Sequence, residues 1–289
     1  MTRRAPKKVK RPQAPTSTVT RVNRFSAGDD GAFVAVLQLM RPDVANAFSA
    51  EMMDEVIAHI ESLNRETGFR ALILTGSGKH FSAGADLNWM KSSAKLSRSR
   101  NLGEAMRLTA MFEAVANLKV PSIAVAKGSV FGGAVGLVAA CDIAFATDDA
   151  RFCLSEVRLG LIPAVIYPYL ARRMRPGQLR RLALTAKVFD AGIAHNAGLI
   201  DVVVPAPEIH QVLRTEIELL LNASTKAHGA LKDLHKKLAA TGFKQGSITA
   251  QTIAGIRSTP EAQAGLQAFF DKQPAPWACK LSDDARFLE

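Results

Sequence analysis

The sequence predicts an α/β fold built mainly as one large domain. Three observations point there. Short apolar runs recur along the chain, segments with apolar residues at helical spacing fall between them, and glycine or proline closes most of the runs. A chain of 289 residues can bury a sizeable core, and 48% hydrophobic with 22% charged residues excludes a wholly disordered, collagen-like or disulfide-stapled chain.

Phe33 to Leu39 (FVAVLQL) opens the pattern as a strand. Ser49 follows as an N-cap ahead of Met53, Val56, Ile57 and Ile60 at helical spacing. Ala71 to Thr75 (ALILT), ended by Gly76, reads as a buried strand. Leu108, Phe112, Val115 and Leu118 give one face of a helix that stops near Pro121, and Ser122 to Ala126 (SIAVA) is the next buried strand. Ile143 to Ala146 and Val202 to Val204 add two short strands. Beyond about Pro205 the pattern turns helical. It runs from Ile209, Val212, Leu213, Ile217 and Leu220 to a last helix that Ser258, Pro260 and Glu261 open and Leu266, Phe269 and Phe270 line. The expected layout is a basic arm over residues 1–20, a βα core over 21–205 and a helical region over 206–289.

The formal net charge of +11 is concentrated at the start. Up to Arg24 the chain has eight basic residues and no acidic one, which leaves 29 basic against 26 acidic in the remainder. The body is thus an ordinary globular surface, and the leader is expected to be a solvated arm. A nucleic-acid partner is not expected, because two Trp and two Tyr offer no stacking platform among the basic residues. The longest uncharged central run, Gly128 to Cys141, is too short to span a bilayer, so no membrane span is expected. Cys141, Cys153 and Cys279 form no CxxC pair and no apolar signal core precedes them, which points to free thiols in a cytoplasmic protein. The six histidines lack metal-ligand spacing, so no metal is expected.

Two glycine-containing turns each follow a buried strand and precede a helical pattern. The first is Phe81-Ser82-Ala83-Gly84-Ala85-Asp86-Leu87, the second Gly128-Ser129-Val130-Phe131-Gly132-Gly133-Ala134-Val135-Gly136. Small residues let a ligand approach the backbone, and a helix that opens there leaves its first amide hydrogens unpaired. Two such turns meeting in space can offer two N–H donors to one oxygen, the geometry of an oxyanion hole. Each is also a plausible packing turn. Glu156 is a lone acid in the apolar segment Phe152 to Pro163. Apolar surroundings would raise its pKa toward the range useful for proton transfer; the alternative is a surface pair with Arg158 or another basic group.

Taken together, these segments resemble the enoyl-CoA hydratase/isomerase (crotonase) family. The match is carried by Arg41 to Ala47, Phe81 to Leu87, Gly128 to Asp142, Phe152 to Pro163 and the stretch from Thr259 to Trp277, in order. Within the family, Phe81 to Lys91 and Ser155 to Ala164 look most like bacterial methylglutaconyl-CoA hydratases. The resemblance implies a crotonase-like spiral of ββα units with a C-terminal helical trimerisation region, in a homotrimer or a dimer of trimers. It implies an oxyanion hole at the amides of Ala85 and Gly133 and an acid/base at Glu156. Ala45, Ala83, Gly84, Asp86, Leu87 and Asn88 would line the coenzyme A path, and Phe269 and Lys272 would close over its nucleotide. No separate cofactor is implied, since coenzyme A is part of the substrate. The family's first catalytic glutamate falls at Gly136 here, its GGG at Gly132-Gly133-Ala134, and Ala164 follows Pro163 where hydratases often carry glycine. The expected reaction is hydration of a 2-enoyl-CoA. The alternatives are a double-bond isomerase using Glu156 alone and a non-catalytic acyl-CoA- or RNA-binding protein.

Overall fold

The computed structural model describes residues 18–28, 30–93, 95–242 and 246–288. Most of the expected arm therefore lies outside the described residues. The larger sheet comprises β1 (Thr20–Ser26), β2 (Phe33–Leu39), β3 (Phe69–Gly76), β4 (Ser122–Ala126), β6 (Ile143–Thr147) and β9 (Val202–Val204), neighbours in that order. β1 runs antiparallel to β2 and every other pair is parallel. A smaller sheet joins β5 (Ser129–Phe131), β7 (Arg151–Cys153) and β8 (Phe189–Asp190). The helices are α1 (Ala50–Leu63), α2 (Leu87–Ser93), α3 (Arg98–Ala116), α4 (Gly133–Ala140), α5 (Tyr167–Arg173), α6 (Pro176–Thr185), α7 (Ala191–Ala197), α8 (Ile209–Leu221), α9 (Thr225–Ala240), α10 (Gly246–Arg257) and α11 (Pro260–Phe270). This is the mixed α/β class expected. No described helix is long and apolar enough to cross a membrane.

The central strands are apolar at nearly every position because the sheet is covered on both faces. Side chains alternate between the faces along each strand. Leu37, Leu39, Leu72, Leu74, Ala124 and Ala144 pack with Met53, Phe112 and Leu137 of α1, α3 and α4. Val34, Val36, Ile73, Val125 and Phe145 point the other way, against Ile209, Leu213, Ile217 and Leu221 of α8 and the tail residues Leu281 and Phe287. Ser49 caps α1 as expected, accepting from the Met52 amide.

Two details differ from expectation. β1 is an edge strand in which Arg21, Arg24 and Ser26 are exposed and Val22, Asn23 and Phe25 only half-buried, so it lacks the apolar run that marks the inner strands. The cap of α11 is Thr259 rather than Ser258: the Thr259 hydroxyl accepts from the Ala262 amide, while Ser258 Oγ turns back to the carbonyls of Ala254 and Gly255.

Candidate active site

The parallel strands end in loops that are stitched into one layer. Phe81 N donates to Lys127 O at 2.8 Å, Ser82 N to Ser129 O at 3.1 Å and Phe131 N to Ser82 O at 3.1 Å, so the two glycine-containing turns lie side by side. Gly84 sits at the closest approach. A Cβ there would stand 2.4 Å from Phe131 O and 3.6 Å from Gly133 N. Any larger residue would push the turns apart.

The donors follow from this stitching. Phe48 N donates to Gly84 O at 2.7 Å and Asp86 N to Phe48 O at 3.0 Å. In that bridge the amide of Ala85 is directed away from Phe48, and no acceptor among the described residues takes it up. Gly133 is the first residue of α4, where an amide has no partner within its helix. Gly132, which precedes it, has φ 53° and ψ −122°, a conformation open to glycine alone in practice. Its own N–H is held by Cys153 O at 2.8 Å. Gly132→Ala is expected to destabilise the fold by about 1–3 kcal/mol and to lower activity, measured by thermal unfolding and by turnover.

Glu156 opens a 3-10 turn, Glu156–Leu159, that Gly160 closes in the left-handed region. The turn aims its carboxyl back at the second glycine turn. A methyl group on Gly132 would lie 3.4 Å from Glu156 Oε1. Oε2 is buried and has no hydrogen-bond partner. Burial raises the carboxyl's pKa, against a smaller opposing contribution from its own backbone amide. Glu156 makes no ion pair among the described residues, and the alternative pairing with Arg158 is not formed. The structure thus brings Glu156, Gly132 and Gly133, Gly84 and Ala85 to one small volume.

Gly136 lies one helical turn beyond Gly133, and its surroundings are closed. A Cβ at this position would stand 2.2 Å from Ile166 Cγ2, 2.5 Å from Ile166 Cβ and 3.4 Å from Phe112 Cε1. The space that a side chain at 136 would need is therefore taken by Ile166. No sequence signal marks this pairing, because thirty positions and a small sheet separate the two residues.

The loop 41–47 forms the flank of the site. Ala45 and Asn46 both adopt left-handed conformations, φ 49° and 53°. Ala83 N donates to Ala45 O at 2.8 Å, which places the first two expected path segments together. The buried Asn46 side chain accepts from Arg41 N at 2.8 Å and donates to the carbonyls of Ser77 and His80, both at 2.9 Å. Ser82 Oγ donates to Asn46 O at 2.8 Å. Burial alone would raise the pKa of Asp86, but the Arg41 guanidinium at 2.9 Å and the amides of Asn88 and Trp89 outweigh it and hold the carboxyl below its usual range. Asp86 is thus fully engaged in organising its turn. Leu87 and Asn88 are exposed beside it.

Phe269 and Lys272 sit apart, at the end of α11 and just past it. Phe269 is 76% exposed and its ring meets Phe270. Among the described residues no hydrogen bond links either one to the glycine turns or to Glu156.

Comparison with known proteins adds to this geometry. The family model described as enoyl-CoA hydratase/isomerase matches residues 29–280. A crystal structure of an enoyl-CoA hydratase from Shewanella pealeana superimposes with a TM-score of 0.83 at 38% identity, covering 90% of this chain and 96% of that one. The crotonyl-CoA hydratase of Syntrophomonas wolfei is 28% identical over 258 residues, 86% of this chain and 95% of that protein. The mitochondrial Δ(3,5)-Δ(2,4)-dienoyl-CoA isomerase of Dictyostelium discoideum is 29% identical over 186 residues, 61% of this chain and 64% of that protein.

Proposed function

The chain belongs to the enoyl-CoA hydratase/isomerase family, and we propose that within it the protein adds water across the double bond of a 2-enoyl-CoA. The observation that carries this reading is the Glu156 carboxyl, its buried Oε2 unpaired and its Oε1 against Gly132, at the place where the Gly84–Ala85 turn packs against the start of α4 at Gly133. The two amides hold the thioester oxygen. As water attacks the β-carbon, Glu156 takes one of its protons, and the electron pair of the double bond moves to the thioester oxygen as an enolate. Glu156 then returns that proton to the α-carbon, which re-forms the carbonyl. One carboxylate serves both steps. A preplaced oxyanion donor contributes about 3–4 kcal/mol to such a transition state, and a matched acid/base a further factor of about 10²–10⁴.

In this reading coenzyme A is carried by the substrate and passes along Ala45 and the backbone from Ala83 to Asn88, with Phe269 and Lys272 over its nucleotide in a trimer. The exposed Phe269 and Phe270 support that assembly. The acyl group proposed is methylglutaconyl-like, on the likeness of the Phe81–Lys91 and Ser155–Ala164 segments to such enzymes. A second reading is favoured by Ile166, which leaves no room for a second carboxylate at 136. Glu156 alone can move a proton from the α- to the γ-carbon of a 3-enoyl-CoA.

The conjugated thioester absorbance decides between them. Loss of the signal from a 2-enoyl-CoA is the expected result, with methylglutaconyl-CoA outpacing crotonyl-CoA. Appearance of the signal from a 3-enoyl-CoA, with no loss from the 2-enoyl form, replaces hydration by isomerisation. No change with either ends both readings.

A further inference from the structure

The turn that presents the Ala85 amide, pinned on one side by Phe48, runs two residues later into α2. This helix has seven residues and buries none of them fully, so it is too short to hold its place by its own hydrogen bonds and depends on a few side-chain contacts. At its start Asp86 Oδ1 accepts from Asn88 N at 2.8 Å and from Trp89 N at 3.3 Å. Its side-chain link to another helix is Trp89, whose indole Nε1 donates to Glu104 Oε2 of α3 at 2.7 Å while its ring packs, partly buried, against the core. Glu104 is itself steadied by Arg107, with Oε1 at 3.8 Å from Nη1, and Arg107 reaches Asp54 of α1 at 3.4 Å. α1 begins just after Phe48, the residue whose backbone bridges Ala85. The chain of contacts is closed: Ala85, α2, Trp89, Glu104, Arg107, Asp54, α1, Phe48 and back to Ala85.

We propose that Glu104 is a positioning residue for the oxyanion hole, acting through Trp89 to hold α2, and with it the Ala85 amide, at the angle the thioester oxygen requires. The inference rests on the reading of Ala85 as an oxyanion donor. A charged acceptor and a partly desolvated indole donor make a strong hydrogen bond. An oxyanion donor works by being preorganised, so releasing the clasp weakens the transition state more than the bound substrate. The effect therefore falls on kcat and largely spares KM.

The test is steady-state kinetics on folded Glu104→Ala, Glu104→Gln and Trp89→Phe, with thermal unfolding run in parallel. Glu104→Ala is expected to lower kcat by about 10- to 100-fold, less than the 10²–10³ lost on deleting a donor outright, with KM changed by no more than about threefold. Glutamine keeps an acceptor oxygen for the indole, so Glu104→Gln is expected to recover kcat to within a few-fold of the parent. Trp89→Phe removes the N–H but keeps an aromatic ring, and is expected to match Glu104→Ala. The double variant Trp89→Phe/Glu104→Ala is expected to be no worse than either single one. Parental kcat in Glu104→Ala, a Glu104→Gln variant as slow as Glu104→Ala, or additive losses in the double variant would each overturn the proposal. Absence of turnover by the parent protein on any enoyl-CoA would instead bring down the reading of the site, and this inference with it.

Discussion

Glu156→Gln is expected to cost about 10²–10⁴ in turnover while acyl-CoA affinity stays within a few-fold of the parent. The amide is nearly isosteric, so the 3-10 turn and the neighbouring Gly132 have no reason to move. What disappears is a group that can take up a proton and give it back. Turnover on the preferred enoyl-CoA and calorimetric binding of a saturated acyl-CoA measure the two halves, and parental turnover would end the assignment. The same variant has a second signature. Burial raises the carboxyl's pKa, so the folded chain holds this proton more tightly than the unfolded one does. The stability contributed by such a group is complete below its unfolded value and is lost as pH rises through the folded one. A glutamine never ionises and escapes that loss. The variant is thus expected to melt higher than its parent at neutral pH, with the gain fading as pH falls toward the ordinary glutamate value of 4.5. An active-site acid held at the expense of stability behaves this way; a surface acid in an ion pair would show the opposite sign.

Gly136→Glu, the change that would restore a second carboxylate, is expected to fail. The new Cβ would meet Ile166 Cγ2 at 2.2 Å, and the carboxylate would enter apolar surroundings formed by Ile166 and Phe112. Overpacking alone costs about 1–3 kcal/mol and a buried unpaired acid adds to it, so a loss of more than about 3 kcal/mol is expected by denaturant unfolding. Ile166→Ala makes a cavity of its own, worth about 2–5 kcal/mol. The double variant Gly136→Glu/Ile166→Ala is expected to be less destabilised than the two losses combined, because each change supplies what the other lacks. Strict additivity would mean that Ile166 does not occupy the space in question.

These two residues also show how far the sequence could be read. The inner strands were legible because a sheet covered on both faces demands unbroken apolar runs, and FVAVLQL, ALILT and SIAVA are such runs. Glu156 was legible because an acid stands out in apolar company. The two glycine-containing turns were legible only in part. Glycine spacing marked a close approach, but the free amide of Ala85 depends on Phe48 bridging it, a pairing across many residues. Ile166 and the Trp89–Glu104 bond left no trace, since each is an ordinary residue whose meaning comes from a distant partner. β1 was hidden for a different reason: an edge strand has one side open to water and need not look apolar.

Asn46 joins the backbone at Arg41, the carbonyls of Ser77 and His80 and the hydroxyl of Ser82, so the flank loop and the first glycine-containing turn are tied together. A carrier group gripped along the flank would therefore be gripped by a loop tied to the turn that holds Ala85. Adhesion gathered far from the bond being altered can then be spent on alignment at that bond, which is how a bulky, chemically idle handle comes to govern the rate of a reaction in which it takes no part.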